Sequence, residues 1–324
     1  MPLSLDDIKA PIEKEMEEFE PKFRASMQTK VLLLDKIMHY IVKRKGKQMR
    51  PMFIFLSAGT CGKITESTYR AASLIELIHT ASLVHDDVVD DANYRRGFFS
   101  INALWKNKIA VLVGDFLLTR ALILSVEYKE FELLSIGTES VKEMSEGELL
   151  QMEKARQLDI TEDLYFEIIR QKTASLIASC CAMGASSAGA DPSLVAKMKA
   201  FGLHIGMAFQ IKDDLFDYGD DAIGKPVGID IKEKKMTLPL IHALSKASWL
   251  EKRRIIGIVR SESDKVGKVK EVIDFVRKSG GIEYATSVMT RYYQEALAML
   301  QDFPESTYRT SLANLVQFTI ERSR

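Results

Sequence analysis

The chain has 324 residues, 46% of them hydrophobic, with 45 basic and 45 acidic side chains and a formal net charge of zero. That balance excludes a chain-wide nucleic-acid footprint, which would be basic, and leaves ample apolar material for a core. Cys61, Cys180 and Cys181 have no C-x-x-C spacing, so reduced thiols are expected rather than a disulfide frame or a zinc site.

The opening Met1-Pro2-Leu3-Ser4-Leu5-Asp6-Asp7 lacks the basic and apolar regions of a secretory leader. Apolar spacing at helical period starts at Val31–Val42, where Val31, Leu34, Ile37, Met38 and Ile41 share a face. After a break at Gly59–Lys63 it covers 69–92 and stops at Asn93–Gly97. It resumes over 100–128, 132–157 and 161–188. Within these, the apolar run Ile109–Gly114 is interrupted by Asp115 and Arg120, so no spanning segment is expected, while the three reduced thiols make the cytoplasm the expected compartment. Gly189–Pro192 breaks the pattern again, with Ser193 as a cap before 193–217. Gly219–Asp230, rich in Gly, Asp and Pro, reads as a loop. Helical spacing returns at 236–247, 266–278, 281–301 and 306–322, and strict alternation is absent. The expectation is one all-α domain over 1–324 with about ten helices or more.

Two of these helices carry acids. In Asp86-Asp87-Val88-Val89-Asp90 each residue turns about 100°, so Asp86 and Asp90 share a face and Asp87 lies further round. In Gln210-Ile211-Lys212-Asp213-Asp214-Leu215-Phe216-Asp217, the residues Gln210, Asp213, Asp214 and Asp217 fall within an arc of roughly 100°. One such cluster would ordinarily be a solvated face. Two clusters on otherwise apolar helices hold like charges close together, which is stable only with something positive between them. Oxygen-only donors select hard cations, and Mg²⁺ takes a few carboxylates and completes its shell with water and substrate phosphate. The pattern therefore predicts a diphosphate clamp.

Basic residues occur in small sets: Lys47 with Arg50, Arg95 with Arg96, Lys172 beside Thr173, and Lys225 with Lys235 flanking the loop after the second acid helix. Arg's planar fork suits phosphate oxygens. His79 precedes Asp86 by two turns and lies about 20° from it, so a core histidine and a substrate contact are both open. His85 lies off that face and reads as structural.

These residues resemble those of the trans-type isoprenyl diphosphate synthases, most closely the bacterial long-chain polyprenyl members, over nearly the whole chain. The resemblance rests on an ordered set: G-K-Q-M-R-P at 46–51, H-T-A-S-L-V-H-D-D-V-V-D at 79–90, R-R-G at 95–97, V-G-D-F-L-L at 113–118, G-E-L-L-Q at 147–151, K-T-A-S-L at 172–176, F-Q-I-K-D-D-L-F-D at 209–217, and G-K-P-V-G-I-D at 224–230 leading to T-L-P-L at 237–240. It implies a helical bundle around a central cavity. Asp86, Asp90 and Asp213 would ligate Mg²⁺ with Asp214 and Asp217 in support, about three ions in all. Lys47, Arg50, His79 and Arg96 match positions that bind isopentenyl diphosphate. Arg95, Lys172, Thr173, Gln210 and Lys225, with Lys235, match the allylic diphosphate side. Lys172, Thr173, Gln210 and Lys225 would serve catalysis: the lysines stabilise the leaving diphosphate, while the Thr173 carbonyl and the Gln210 amide face the allylic cation. A homodimer is implied, with peripheral membrane contact for product release. Lys45 and Gln48 depart from the common Gly and Arg, and Lys234 stands where E-G-K is common; no expected ligand is lost.

A class I terpene cyclase, a shorter-chain synthase and a non-catalytic partner subunit remain as alternatives. The second D-D-x-x-D and the isopentenyl set argue against a cyclase, and intact acids against a silent subunit. Product length follows from the floor beneath the clamp. A helix turn rises about 5.4 Å, close to one isoprene unit, which makes Ala81 and Ser82 the first floor residues. Both are small, with close helix packing as the plainer alternative reading. Leu122, Tyr128 and Phe131 are candidates for a deeper stop. The open floor predicts roughly seven to nine isoprene units.

Overall fold

A computed structural model of the chain describes residues 4–43, 46–95, 97–155, 158–219, 228–263 and 265–321. Among these the architecture is all-α, as expected, with more helices than the periodicity showed. They are α1 (Leu5–Lys9), α2 (Glu13–Ser26), α3 (Leu32–Val42), α4 (Met49–Cys61), α5 (Glu66–Val89), α6 (Ile101–Glu127), α7 (Phe131–Ala155) and α8 (Glu162–Ile169). A π-helical turn at Arg170–Ala174 leads into α9 (Ser175–Ser187) and α10 (Pro192–Phe216). Then come α11 (Ile229–Lys232), α12 (Leu238–Lys246), α13 (Trp249–Ser261), α14 (Val266–Lys278), α15 (Gly281–Leu300) and α16 (Thr307–Glu321). A two-residue hairpin, β1 (Tyr94–Arg95) with β2 (Phe98–Phe99), fills the break after α5.

Polar caps start several helices. Ser100 Oγ accepts from Ala103 N at 3.4 Å and Thr161 Oγ1 from Leu164 N at 3.3 Å. Ser248 and Glu251 cap α13 reciprocally. Each such cap contributes about 1 kcal/mol. α2, α4 and α13 escape the periodicity for opposite reasons. α4 buries Pro51 through Ala58 and Thr60, apolar on all sides, so no stripe stands out. α13 buries only Ile255, Ile258 and Val259, and α2 is mostly charged with Pro21 inside it.

The chain forms two compact units. The first comprises Met1–Val141, Ser179–Lys199 and Phe303–Leu315, and the second Lys142–Ala178, Ala200–Asp302 and Val316–Arg324. In the first, α5 packs along α6 and α4. Gly114 of α6 permits that approach, because a Cβ there would fall 2.1 Å from His85 Nε2. His85 Nε2 also lies 3.3 Å from the Val111 carbonyl, the structural role expected of it. α6 is the one described helix long and apolar enough to cross a membrane by length and composition, with mean hydropathy 2.1. Asp115 and Arg120 interrupt it, and Arg120 Nε donates to the Ser26 carbonyl at 2.6 Å.

The second unit has its own core, in which Ile169, Met207, Ile211, Ile231, Leu238, Ile255, Val272 and Val288 are buried together. Burying a side chain of this size contributes about 1.5–3 kcal/mol. That core holds α8, α10, α12 and the α13–α15 helices that carry no acid motif.

Candidate active site

The first acid set sits where α5 ends. Asp86 is partly exposed and Asp90, the C-cap residue, is exposed. Asp87 is buried at 3% exposure and turned to the hairpin: Arg95 Nε donates to its Oδ1 at 2.6 Å. Asn102 Nδ2 donates to its carbonyl at 3.1 Å. Burial raises the Asp87 carboxyl above its usual range, and Arg95 opposes that rise. Arg95, expected at the allylic diphosphate, thus spends its Nε anchoring Asp87. Arg96 lies outside the described residues.

On the same unit, Arg50 stands in the first turn of α4, behind Gln48 in the left-handed region at φ 52°. Its Nε donates to Glu76 Oε1 at 2.7 Å, which fixes the guanidinium against α5. His79, one turn beyond Glu76, is partly exposed, and Lys47 is exposed. Ala81 is fully buried, whereas Ser82 is partly exposed and bonds the Ile78 carbonyl at 3.1 Å. Ala81 is therefore a packing residue. Leu122, Tyr128 and Phe131 are 47%, 57% and 60% exposed, and Arg70 lies over the Tyr128 ring. They lie on the surface of the chain.

In the second unit the π-turn presents Lys172 and Thr173. An extra residue in one helical turn re-aims side chains, and such turns recur at functional sites. Two glycines let neighbouring helices close on it. A Cβ on Gly147 of α7 would sit 2.8 Å from Gln171 Cβ, and one on Gly206 of α10 would sit 2.4 Å from Ala174 Cα. One turn of α7 then holds Lys172, with Glu148 Oε2 at 2.5 Å and Gln151 Oε1 at 3.3 Å from its Nζ.

A polar chain runs on from there. Thr173 Oγ1 donates to Gln210 Oε1 at 2.7 Å, Gln210 Nε2 to Asp214 Oδ1 at 2.9 Å, and Tyr165 Oη to Asp214 Oδ2 at 2.7 Å. When Asp214 is ionised its carboxylate only accepts, and the Gln210 amide then has one allowed orientation. Asp214 is 6% exposed and its carboxyl is pushed up to about 7, chiefly by burial, against the hydrogen bonds from Tyr165 and Gln210. Asp213 remains partly exposed. Asp217 is buried, and its Oδ1 and Oδ2 accept from Ile229 N at 2.7 Å and Asp230 N at 3.2 Å. Its carboxylate caps α11. Lys235 lies 2.5 Å from Glu233 Oε2 and 3.5 Å from Asp230 Oδ1. Lys225 lies outside the described residues.

Asp86 and Asp90 in the first unit, and Asp213 in the second, are exposed or partly exposed carboxylates. Oxygen donors of this kind suit a hard divalent cation. Among the described residues no three such groups converge closely enough to hold an ion.

A family model described as Polyprenyl synthetase matches residues 31–276. The chain belongs to the polyprenyl synthetase family. It is a prenyltransferase with the all-α fold of that family. The all-trans-nonaprenyl-diphosphate synthase (geranyl-diphosphate specific) of Rhodobacter capsulatus is 37% identical over 98% of this chain and 97% of its own. A short chain isoprenyl diphosphate synthase of Methanothermobacter thermautotrophicus is also 37% identical, over 87% of this chain and 88% of its own. The crystal structure of a polyprenyl synthase from Caulobacter crescentus, complexed with calcium and isoprenyl diphosphate, superposes with a TM-score of 0.90 at 31% identity, covering 100% of this chain and 99% of that one. Octaprenyl and heptaprenyl diphosphate synthases are further relatives, one of them component 2 of a heptaprenyl enzyme.

Sequence reasoning about this polyprenyl synthetase misses Glu76, Glu148, Gln151 and Tyr165, the groups that hold the expected site residues. The G-E-L-L-Q motif is visible in the sequence, but its role emerges only from the contact with Lys172. Tyr165 has no local signal, since its partner Asp214 is distant along the chain.

Proposed function

We propose that the chain condenses isopentenyl diphosphate head-to-tail with an allylic diphosphate of the farnesyl or geranylgeranyl type, giving a long-chain all-trans polyprenyl diphosphate. The observation that carries this reading is the locked Thr173–Gln210–Asp214–Tyr165 chain beside the accessible Asp213. Asp86, Asp90 and Asp213 would hold Mg²⁺, about three ions per site. Bound Mg²⁺ supplies the charge that stabilises the leaving diphosphate.

The chain's own groups do the rest. Lys172 exchanges Glu148 and Gln151 for the allylic diphosphate, with Lys225 and Lys235 on the same substrate. The fixed Gln210 carbonyl and the Thr173 backbone carbonyl present their negative ends to the allylic cation, at no reorganisation cost during ionisation. Lys47, Arg50, His79 and Arg96 hold isopentenyl diphosphate so that its double bond attacks. The proton is lost to the departing diphosphate, and no protein base is assigned.

The small Ala81 and Ser82 leave the floor open at the first turn, which supports a product longer than the short-chain relative makes. Exposed Leu112, Leu122 and Val126 on α6 give an apolar face that supports a homodimer, since contiguous apolar surface marks interfaces. The free thiols of Cys61, Cys180 and Cys181 support a cytoplasmic enzyme. Each unit draws on three stretches that alternate along the sequence, which supports one domain over 1–324.

The test is incubation of the purified chain with Mg²⁺, labelled isopentenyl diphosphate and a panel of allylic primers, with product length read by chromatography. A long polyprenyl product from the chain alone is expected. Cyclic hydrocarbons without isopentenyl incorporation would favour a cyclase. Turnover only with a second polypeptide would assign the chain to a two-component enzyme.

A further inference from the structure

The start of α13 presents a surface that catalysis does not use. Trp249 and Leu250 are its first two residues, and they are 68% and 72% exposed. Large apolar side chains adjacent in sequence and this exposed carry a standing cost in water. They are held in place: Ser248 Oγ donates to Glu251 Oε2 at 2.6 Å, closing the first turn, and the far turns are anchored by buried Ile255, Ile258 and Val259.

Cations surround the pair. Lys246, Lys252 and Arg253 are exposed, and among the described residues no ion pair engages them. Arg253 lies with its guanidinium carbon 5.3 Å from the Trp249 ring centroid. Arg254 is drawn away to Glu271 at 3.5 Å. The one acid between Lys246 and Arg254 is Glu251, whose carboxylate is turned back onto Ser248. The surface therefore combines an indole, a leucine and an excess of positive charge.

We propose that this surface docks the enzyme on anionic lipid bilayers. Trp partitions to the bilayer interface, Leu inserts beneath the headgroups, and Lys and Arg meet anionic lipid charge. A second copy of the chain fits poorly here. A two-fold contact would set the same cations against each other, and like charges repel. The purpose, delivery of an apolar product, rests on the proposed function; the binding does not.

The test uses the full chain, without substrate, in co-sedimentation with vesicles. One set is phosphatidylcholine and the other contains about a third phosphatidylglycerol. Binding to the anionic set, falling with salt, is expected. Replacing Lys246, Lys252 and Arg253 by Gln should lower partitioning by roughly a hundredfold, at about fivefold per cation. Trp249→Ser with Leu250→Ser should lower it by about tenfold, and prenyl transfer in detergent should remain intact. Wild-type protein left in the supernatant, equal binding to both vesicle types, or variants that bind like wild type would overturn the proposal. So would a changed oligomeric state in the Trp249 variant, which would make the surface a contact between copies. Vesicle binding by a chain that transfers no prenyl group would retire the function and leave the docking standing.

Discussion

One motif, D-D-x-x-D, closes α5 in the first unit and α10 in the second, and the two copies sort their carboxylates differently. The first aspartate of each, Asp86 and Asp213, is partly exposed. The second of each is buried and bound, Asp87 to Arg95 and Asp214 to Tyr165 and Gln210. The third differs. Asp90 lies exposed at a helix end, while Asp217 is buried and caps α11. Each copy of the motif thus supplies one accessible donor, one anchor, and a third group whose task is set by the segment after the helix. The difference between the units thus lies in the third aspartate, exposed in the first unit and built into the cap of α11 in the second.

The strongest way to break that comparison is to remove the open donors. Asp86→Ala and Asp213→Ala should each cut turnover by at least about a thousandfold, since each takes away a charge-stabilising ligand. Circular dichroism and melting should stay near wild type. EDTA should abolish activity and Mg²⁺ restore it. Full turnover in chelator would end the metal reading.

The next test concerns product length. Ser82→Phe should shorten the product to roughly three or four isoprene units while catalysis persists, because one turn of the floor matches one unit. Ala81→Phe should instead lower stability by about 1–3 kcal/mol, since Ala81 has no exposed surface to give. Unchanged product length in Ser82→Phe would place the floor elsewhere.

The anchors should fail by unfolding. Asp87→Ala should cost about 3 kcal/mol, the lower end for a broken buried pair because Arg95 is partly exposed, and Asp90→Ala under about 0.5 kcal/mol. Urea midpoints measure both, and equal losses would erase the distinction between anchor and donor.

The smallest effect is on pH. Asp214 is held up to about 7 and Asp230 up to about 6, each first by burial. A carboxyl raised on folding contributes stability that is present in acid and lost as pH rises through those values. In EDTA, melting temperature should therefore fall between about pH 4 and pH 7, and Asp214→Asn should flatten the fall. A wild-type slope of the opposite sign in that window, absent from the variant, would contradict the burial of Asp214.

Much of the site is legible in the sequence. The acidic faces that bear Asp86, Asp90 and Asp213 follow from helical spacing, as does the long α5 that carries His79, while the proposed role of those acids as metal ligands rests on the family motif. Asp217 defeats the same rule. α10 ends at Phe216, so the 3.6-residue period no longer applies one residue later, and the side chain turns to Ile229. The π-turn is invisible because one added residue is lost in a periodic pattern read over several turns. Tyr165 and Glu76 are tertiary partners, which no local window contains. The motif places Arg95 in the site, but the burial of Asp87 decides its nearest partner.

The π-turn at Arg170–Ala174 behaves as a fixed offset between two registers. Deleting one residue within it would restore an ordinary helix and turn everything downstream by about 100°. Lys172 would leave Glu148 and Thr173 would leave Gln210, while every residue of α9 would present a new neighbour to its surroundings. A one-residue deletion is tolerable in a loop, but here it would scramble an entire helix face. The stretch from Thr161 to Ser187 should therefore accept an exchange of side chains more readily than a change of length.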